Sequence, residues 1–386
     1  MKLRNKVVGA LSTGLLVAGG LVVIASQSAY ALTTINVTTN GDAGAGSLRQ
    51  AFIDASSGGS AEADDVEIDI PASVGTITLS TGELLYDGGS STSHTLTLRG
   101  HGNTIRQTTA NARVINDAGN SLFTMDGLTI TGGTTTSSAA GAGIFVQGAA
   151  TITNSTISGN ASGEASGGLR VSNGALILTN STISGNTAAG GAGGAFVNGP
   201  ATIRNSTISG NTATNGSGGA IEANGTVSLV YATVVGNSGT STVRVARAGI
   251  TSFGSVIAST QGGGDDCLSD VATVTNGFNW DDDGTCGFGS GTGDQSDAGD
   301  PKLGALGNNG GSTQTRLPQT GSGLIDAIPT ASCQADGASG ITTDQRGITR
   351  PQQTGCDIGA VEAAAEPAAV PAPAAEPVVA APTLTG

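Results

Sequence analysis

"NSTISGN" at Asn154–Asn160 returns as "NSTISGN" at Asn180–Asn186 and again at Asn205–Asn211. "YATVVGN" at Tyr231–Asn237 fits the same frame, so the steps are 26, 25 and 26 residues. "GLTITGG" (Gly127–Gly133) and "GSVIAST" (Gly254–Thr260) are degenerate copies on either side. A second landmark keeps step with the first: "GAGIFVQG" from Gly141, "SGGLRVSNG" from Ser166, "AGGAFVNG" from Ala192 and "SGGAIEANG" from Ser217. Its second glycine falls at Gly143, Gly168, Gly194 and Gly219.

A fixed period of this length is the mark of a stacked-repeat protein. Within a unit, short apolar-alternating segments are separated by Gly, Asn or Ser. In "GLRVSNG", Leu169 and Val171 point one way and Arg170 the other, which is the period of a strand. There is no room for a helix of ordinary length. A unit of about 25 residues cannot bury its own apolar face, but stacked copies can, each strand pairing in parallel with its equivalent one unit on. The expected fold is all-β, a parallel β-helix with coils about 4.8 Å apart. Ile157, Ile183, Ile208 and Val234 then form an inward stack. Asn160, Asn186, Asn211 and Asn237 share one corner. Asn tolerates the left-handed backbone of a sharp corner, and stacked amides hydrogen-bond along a ladder. The ladder is preferred here over reading each NST as a glycosylation acceptor.

Outside the repeats, "GSLRQAFIDAS" (Gly46–Ser56) reads as a short helix with Ser47 as N-cap and Leu48, Ala51 and Phe52 on one face. At the start of a solenoid such a helix covers the exposed edge of the first coil. The chain divides into a signal segment (1–31), an N-terminal cap with early coils (32–125), regular repeats (126–262), a disulfide-bearing C-terminal part of the β-helix (263–362) and an Ala/Pro-rich tail (363–386) expected to be a disordered spacer. The first part carries Lys2, Arg4 and Lys6, an apolar run and Ala29-Tyr30-Ala31 as a cleavage site. Its removal takes away three positive charges and moves the formal net charge from −14 to −17. So acidic a chain repels phosphate backbones, which excludes nucleic acid as a partner. No membrane span is expected after cleavage, and the protein is expected to be a secreted or surface-held monomer.

All four cysteines, Cys267, Cys286, Cys333 and Cys356, lie in the last third of an exported chain, which points to disulfides. Of three possible pairings the local ones, Cys267–Cys286 and Cys333–Cys356, are expected. Zinc is the weaker alternative, because no CxxC occurs and His94 and His101 lie far upstream.

Three segments resemble exported bacterial proteins. "GGAI" (Gly218–Ile221) and "ISGN" (Ile157–Asn160) resemble the GGAI/FxxN repeats of polymorphic outer-membrane proteins. "VTTNGDAGAGSLRQAF" (Val37–Phe52) is similar to CSLREA-type N-terminal segments, with Gly46 and Gln50 in place of that motif's Cys and Glu. "DPKLGALGNNGGSTQTRLPQTGSGLIDA" (Asp300–Ala327), "TDQRGITRPQ" (Thr343–Gln352) and "CDIGAVE" (Cys356–Glu362) resemble the terminal region of choice-of-anchor-Q proteins. The resemblance implies a right-handed, pectin-lyase-like β-helix, exported and usually displayed at the surface; it establishes no enzymatic activity. Inside the third segment, Leu317–Gly321 spells a sortase pentapeptide. No long apolar run follows it, so it is read as part of the fold.

The expected function is a structural, adhesive or glycan- or matrix-binding role. The alternative is a polysaccharide-active lyase or glycoside hydrolase on the same scaffold. Gly100-His101-Gly102 matches a polygalacturonase-like motif, yet Asp126, Glu164 and Glu222 in the central repeats give no carboxylate pair on adjacent coils. No catalytic residue is assigned. Nor is any long TxT ladder apparent, so an ice-binding face is not expected. Asn279, Asp281 and Asp283 match the first half of a calcium loop, but Ser290 stands at its twelfth position. The alternative there is a solvated acidic loop tied by Cys286. No other cofactor is expected.

Overall fold

The computed structural model describes residues 32–56, 65–88, 94–136, 139–258, 264–335 and 337–364, together with the backbone of Lys6–Val7. The expected signal segment (1–31) and the Ala/Pro-rich tail fall almost wholly outside these residues.

One coil shows how the repeat becomes structure. Leu169–Val171 forms a strand of an eight-stranded sheet. A turn leads to Leu176–Thr179 and, past the corner Asn180–Ser181, to Thr182–Ser184; both belong to the largest sheet and make its two facets. Thr187–Ala188 adds to a short four-stranded sheet before the chain returns. Every strand pairs in parallel with its equivalents one coil before and after. The molecule is therefore a parallel β-helix. The one α-helix among the described residues, Leu48–Ser56, buries Leu48, Ala51, Phe52 and Ala55 against the first coils. Ser47 Oγ accepts the Gln50 N–H at 3.2 Å, as an N-cap does. Arg49 donates to the carbonyls of Gly82 and Glu83, just ahead of the edge strand Leu84–Tyr86, and pairs with Asp42 at 2.7 Å.

The interior is a set of columns. Ile77, Ile105, Ile130, Ile157, Ile183 and Ile208 follow one another in register, with Val234 and Ile257 continuing. Each Ile is fully or almost fully buried, so every coil contributes a burial of about 2–3 kcal/mol at this position alone.

The four ladder asparagines are buried and connected. The Asn160 N–H and Nδ2 both donate to Asn186 Oδ1 at 3.0 Å. Asn186 does the same to Asn211, and Asn211 to Asn237, at 2.9–3.0 Å. Each interior amide also donates to a carbonyl of the column, for example Asn186 Nδ2 to Ile157 O at 2.9 Å. These asparagines are not left-handed, contrary to the expectation above. The residue before each one is: Gly159, Gly185, Gly210 and Gly236 have φ of 65°, 62°, 69° and 66°. Glycine makes the bend without a Cβ penalty, which frees the next side chain to turn inward. The left-handed asparagines stand at the other corner, Asn154, Asn180 and Asn205 with φ of 48°, 50° and 44°, and Tyr231 takes their place one coil on.

The paired-glycine landmark answers to close approach. A Cβ on Gly168 would lie 2.5 Å from Gly194 O and 3.0 Å from the ladder amide of Asn186, and one on Gly194 would lie 2.3 Å from Ala220 O.

Both local disulfides are formed, Cys267–Cys286 and Cys333–Cys356. Beyond residue 299 the chain leaves the coil path and packs back over the second facet. Leu317 and Pro318 of the pentapeptide lie in this folded segment: Gly304 N–H donates to Leu317 O at 2.8 Å, and Leu303 bridges Pro318.

Candidate functional site: the solvent face of the main sheet

The second facet presents "TIS" with Thr and Ser outward and Ile inward. In register, this aligns Thr129 with Thr156, Thr182, Thr207 and Thr233, and Thr131 with Ser158, Ser184 and Ser209. The rows are Thr-x-Ser in three coils and Thr-x-Thr only at Thr129–Thr131, so the face is a mixed hydroxyl ladder and not a long run of TxT, in keeping with the reading of the sequence.

Half of this ladder is covered. Thr182, Thr207 and Thr233 are 0–2 % exposed, because residues 300–362 lie on them. Thr182 Oγ1 donates to Gln314 O at 2.6 Å, Thr207 Oγ1 donates to Gln345 Oε1 at 2.7 Å, and Thr233 Oγ1 accepts the Ala360 N–H at 2.9 Å. Arg316 Nε donates to Ser209 Oγ at 2.8 Å. Below the hydroxyls a second apolar cluster joins Tyr231, Phe253 and Trp280 of the coils to Leu324, Ile328 and Ile358 of the covering segment. The segment is locked by buried charge: Arg350 pairs with Glu362 at 2.5 Å, with both side chains no more than 1 % exposed, and its guanidinium lies 4.0 Å over the Tyr231 ring. Arg346 pairs with Asp344 at 2.7 Å. Burial raises the Asp357 and Glu362 carboxyls, against the neighbouring Arg350 charge.

The rows at Thr129–Thr131 and Thr156–Ser158 remain half-exposed. They adjoin the first facet, whose outward column runs Asp69, Arg99, Asp126, Thr153, Thr179 and Arg204 in register. At the N-terminal end this column is charged. His101 Nε2 lies 2.8 Å from Asp69 Oδ1, and Arg99 pairs with Glu67 at 2.6 Å. Asp126 Oδ1 accepts Thr153 Oγ1 at 2.7 Å and Asn154 Nδ2 at 2.8 Å. Asp69 and Asp126 thus flank Arg99, two coils apart. Sequence reading missed the pair because the early coils are irregular, with steps of 30 and 27 residues from Asp69 to Arg99 to Asp126. The glycine before His101 answers to packing, since a Cβ on Gly100 would lie 2.1 Å from Leu128 Cγ.

The calcium candidates sit elsewhere, at the C-terminal end. Asp281 continues the isoleucine column below Ile257 and is buried. It accepts N–H groups of Gly284 at 3.0 Å and Asp297 at 2.9 Å, and burial raises its carboxyl. Asp283 accepts from the N–H groups of Asp266 and Thr285, both at 2.9 Å. Asn279 turns inward, where its Oδ1 accepts Ser252 Oγ at 2.7 Å and its Nδ2 donates to Asp294. Among the described residues no group of three or more His, Cys, Asp or Glu is arranged to hold a metal ion. Asn279 Oδ1 also accepts the Ser255 N–H at 3.2 Å, at the corner where earlier coils carry a serine ladder that sequence reading did not assign. The ladder's members Ser155, Ser181 and Ser206 each donate Oγ to the carbonyl two residues back, and Ser181 and Ser206 each accept the N–H of the preceding coil's serine. The signal was the serine at the second position of each "NSTISGN".

Residues 88–273 match the family described as a right handed beta helix region. The coils wind as a right-handed parallel β-helix. No curated protein and no solved structure matches the chain. The match covers the regular coils of the β-helix and stops before the segment that folds back. No helix among the described residues is long and apolar enough to cross a membrane.

Proposed function

We propose that this β-helix is an exported binding protein, with an adhesive or structural role, that holds a polysaccharide or matrix polymer along the open part of its main sheet. The observation that carries this reading is the half-exposed rows Thr129–Thr131 and Thr156–Ser158, beside Thr151 and Thr153 on the first facet. They offer hydroxyls in register at a rise of about 4.8 Å per coil. Each hydroxyl donates one hydrogen bond and accepts others, which matches the hydroxyls of a sugar chain. A flat regular row suits an extended polymer better than a compact ligand. We read the acidic loop at residues 279–283 as a cap on the end of the sheet and not as a calcium site, because N–H groups point at Asp281 and Asp283 where a cation would have to bind. Calorimetric heat on adding calcium would overturn that reading.

A second reading has one observation in its favour. Asp69 and Asp126 stand on one column about 10 Å apart across two coils, near the separation of an acid–base pair in inverting glycoside hydrolases. Incubation of the purified protein with a panel of insoluble polysaccharides separates the two. Binding predicts co-sedimentation without soluble products. Release of reducing sugar, abolished by Asp126→Asn, would establish the enzyme instead. Absence of both co-sedimentation and products would sink both readings.

A further inference from the structure

An end strand of a sheet offers unpaired N–H and C=O groups, which chains close with residues of their own. At the C-terminal end of the main sheet, Trp280–Asp281 is met by the segment that follows it. The Asp281 N–H donates to Gln295 O at 3.0 Å, and the Gln295 N–H donates to Asn279 O at 2.8 Å. The end strand of the eight-stranded sheet there, Asp265–Ser269, is tied by the Cys267–Cys286 disulfide, and its Asp266 and Cys267 N–H groups donate to Asp283 Oδ2 and Thr285 Oγ1. At the N-terminal end the helix packs against Leu84–Tyr86, with Ser56 Oγ accepting the Asp87 N–H at 3.1 Å.

The first strand of the main sheet, Leu32–Asn36, differs. The Thr33 N–H donates to Asp65 O and the Val37 N–H to Asp69 O, both at 2.8 Å. Thr33, Ile35 and Val37 therefore face the next coil. The main-chain groups of Leu32, Thr34 and Asn36 point the other way, because their direction alternates along a strand. Among the described residues only Lys6–Val7 pairs on that side, antiparallel, with Val7 opposite Leu32 and Lys6 opposite Thr33. Both belong to the segment (1–31) expected to be removed on export. The strand "LTTIN" has no charge and no proline to blunt its edge. Leu32 and Asn36 are exposed and Thr34 is half-exposed, so loss of Lys6–Val7 leaves this edge open.

We propose that the exported chain pairs through this edge with a second copy of itself, antiparallel about a two-fold axis at Thr34, in place of the monomer expected from the sequence. The Lys6–Val7 pairing shows the edge taking an antiparallel strand. A second copy supplies an uncharged strand rich in β-forming residues, and identical strands related by a two-fold axis across a sheet edge run antiparallel. With the axis at Thr34, Thr34 faces its own copy and Leu32 faces Asn36. All three present outward N–H and C=O groups, so each opposed pair exchanges two hydrogen bonds. Opposed residues keep their side chains on one face of the sheet, so the outer faces of the two main sheets lie on the same side. The rows at Thr129–Thr131 and Thr156–Ser158 lie toward this end, and the pairing joins the two open faces into one longer surface. The proposal rests on the removal of residues 1–31 and stands independently of what the open face holds.

The test uses the full exported protein, with its N-terminus sequenced and its mass followed by analytical ultracentrifugation over a range of concentrations. A chain beginning near Leu32 that forms a dimer is the expected result. Thr34→Pro removes the outward N–H of both copies at the axis and spares the bonds to the next coil. It is expected to weaken association about tenfold or more and to leave thermal melting unchanged. Thr34→Cys is expected to cross-link two copies by a disulfide, since residue 34 faces itself and the native cysteines are paired with one another. Asn36→Cys faces Leu32 of the other copy and is expected not to cross-link. Should Thr34→Pro fail to fold, the two cysteine variants still decide. A chain that stays monomeric at every concentration overturns the proposal, and so does an exported chain that keeps residues 1–31. A dimer that Thr34→Pro leaves intact, or that cross-links in Asn36→Cys and not in Thr34→Cys, overturns it as well. Co-sedimentation with polysaccharide remains the separate test of the binding reading.

Discussion

The coil bearing Thr156–Ser158 and the coil bearing Thr207–Ser209 share the heptapeptide "NSTISGN" but have opposite surfaces. Thr156 is half-exposed, whereas Thr207 is fully buried and bonded to Gln345. Their inner faces are equivalent, with Ile157 and Ile208 in one column and Asn160 and Asn211 in one ladder. The repeat therefore specifies the inside of the solenoid, and something outside the repeat decides what its outer face becomes. Over coils 182–258 that face is a docking surface for the chain's own C-terminal segment. Toward the N-terminus it stays open to solvent.

The strongest way to break this contrast is to unlock the covering segment. Arg350→Met leaves Glu362 buried without its partner, and such a loss costs about 4 kcal/mol. Hydrogen exchange is expected to show residues 300–362 opening while the coils up to Thr156 keep their protection. Uniform loss of protection would mean that the two regions form a single cooperative unit.

A cut through the inside of the solenoid should behave differently. Asn186→Ala removes the acceptor of two Asn160 donors and the donor to both Asn211 and Ile157 O. Several buried groups are orphaned at once, at a cost of about 3 kcal/mol. Asn154→Gly, at the half-exposed corner, should cost under about 1 kcal/mol, because glycine accepts the left-handed backbone. Urea unfolding of both variants checks the ranking, and equal costs would deny the ladder its role.

The inner column of the eight-stranded sheet contains one charged residue. Asp117 follows Tyr86 in register and is fully buried, with Gly119 N–H and Ser121 Oγ as donors. Burial pushes its carboxyl from 3.8 up to about 6. The folded chain thus holds this proton more tightly than the unfolded chain does. The stability it contributes is present in acid and is lost as pH rises from about 4 to about 6. Asp117→Asn is expected to stabilise the protein at pH 7 by about 2 kcal/mol, with the gain vanishing near pH 4. A gain that does not change with pH would show that Asp117 is not the titrating group.

How much of this was legible depends on periodicity. The apolar columns, the ladder asparagines and the two cysteine pairs could be read because each depends on recurrence or on short separation along the chain. The identity of the left-handed residue could not, since "GN" allows either residue to make the bend and only the inward turn of Asn160 decides it. The Asp69–Asp126 pair was obscured by uneven early coils. The covering segment has no period at all, and its landing site depends on contacts such as Gln345 with Ser181 and Thr182, more than 160 residues apart. Nothing local in "TDQRG" announces where that glutamine goes.

The finest test of the comparison is a single hydroxyl changed in two places. Thr207→Val removes the donor to Gln345 Oε1 beneath the covering segment and leaves a buried amide oxygen short of a partner, at a cost of about 1–2 kcal/mol. Thr156→Val changes the same position of the same repeat on the open face, where water replaces the lost bond, and should alter stability by less than about 0.5 kcal/mol. For ligand binding the order reverses. Thr156→Val should weaken the co-sedimentation proposed for the open face, and Thr207→Val should leave it untouched. If both substitutions cost the same stability and neither affects binding, the division of the face into a covered and an open half has no functional meaning.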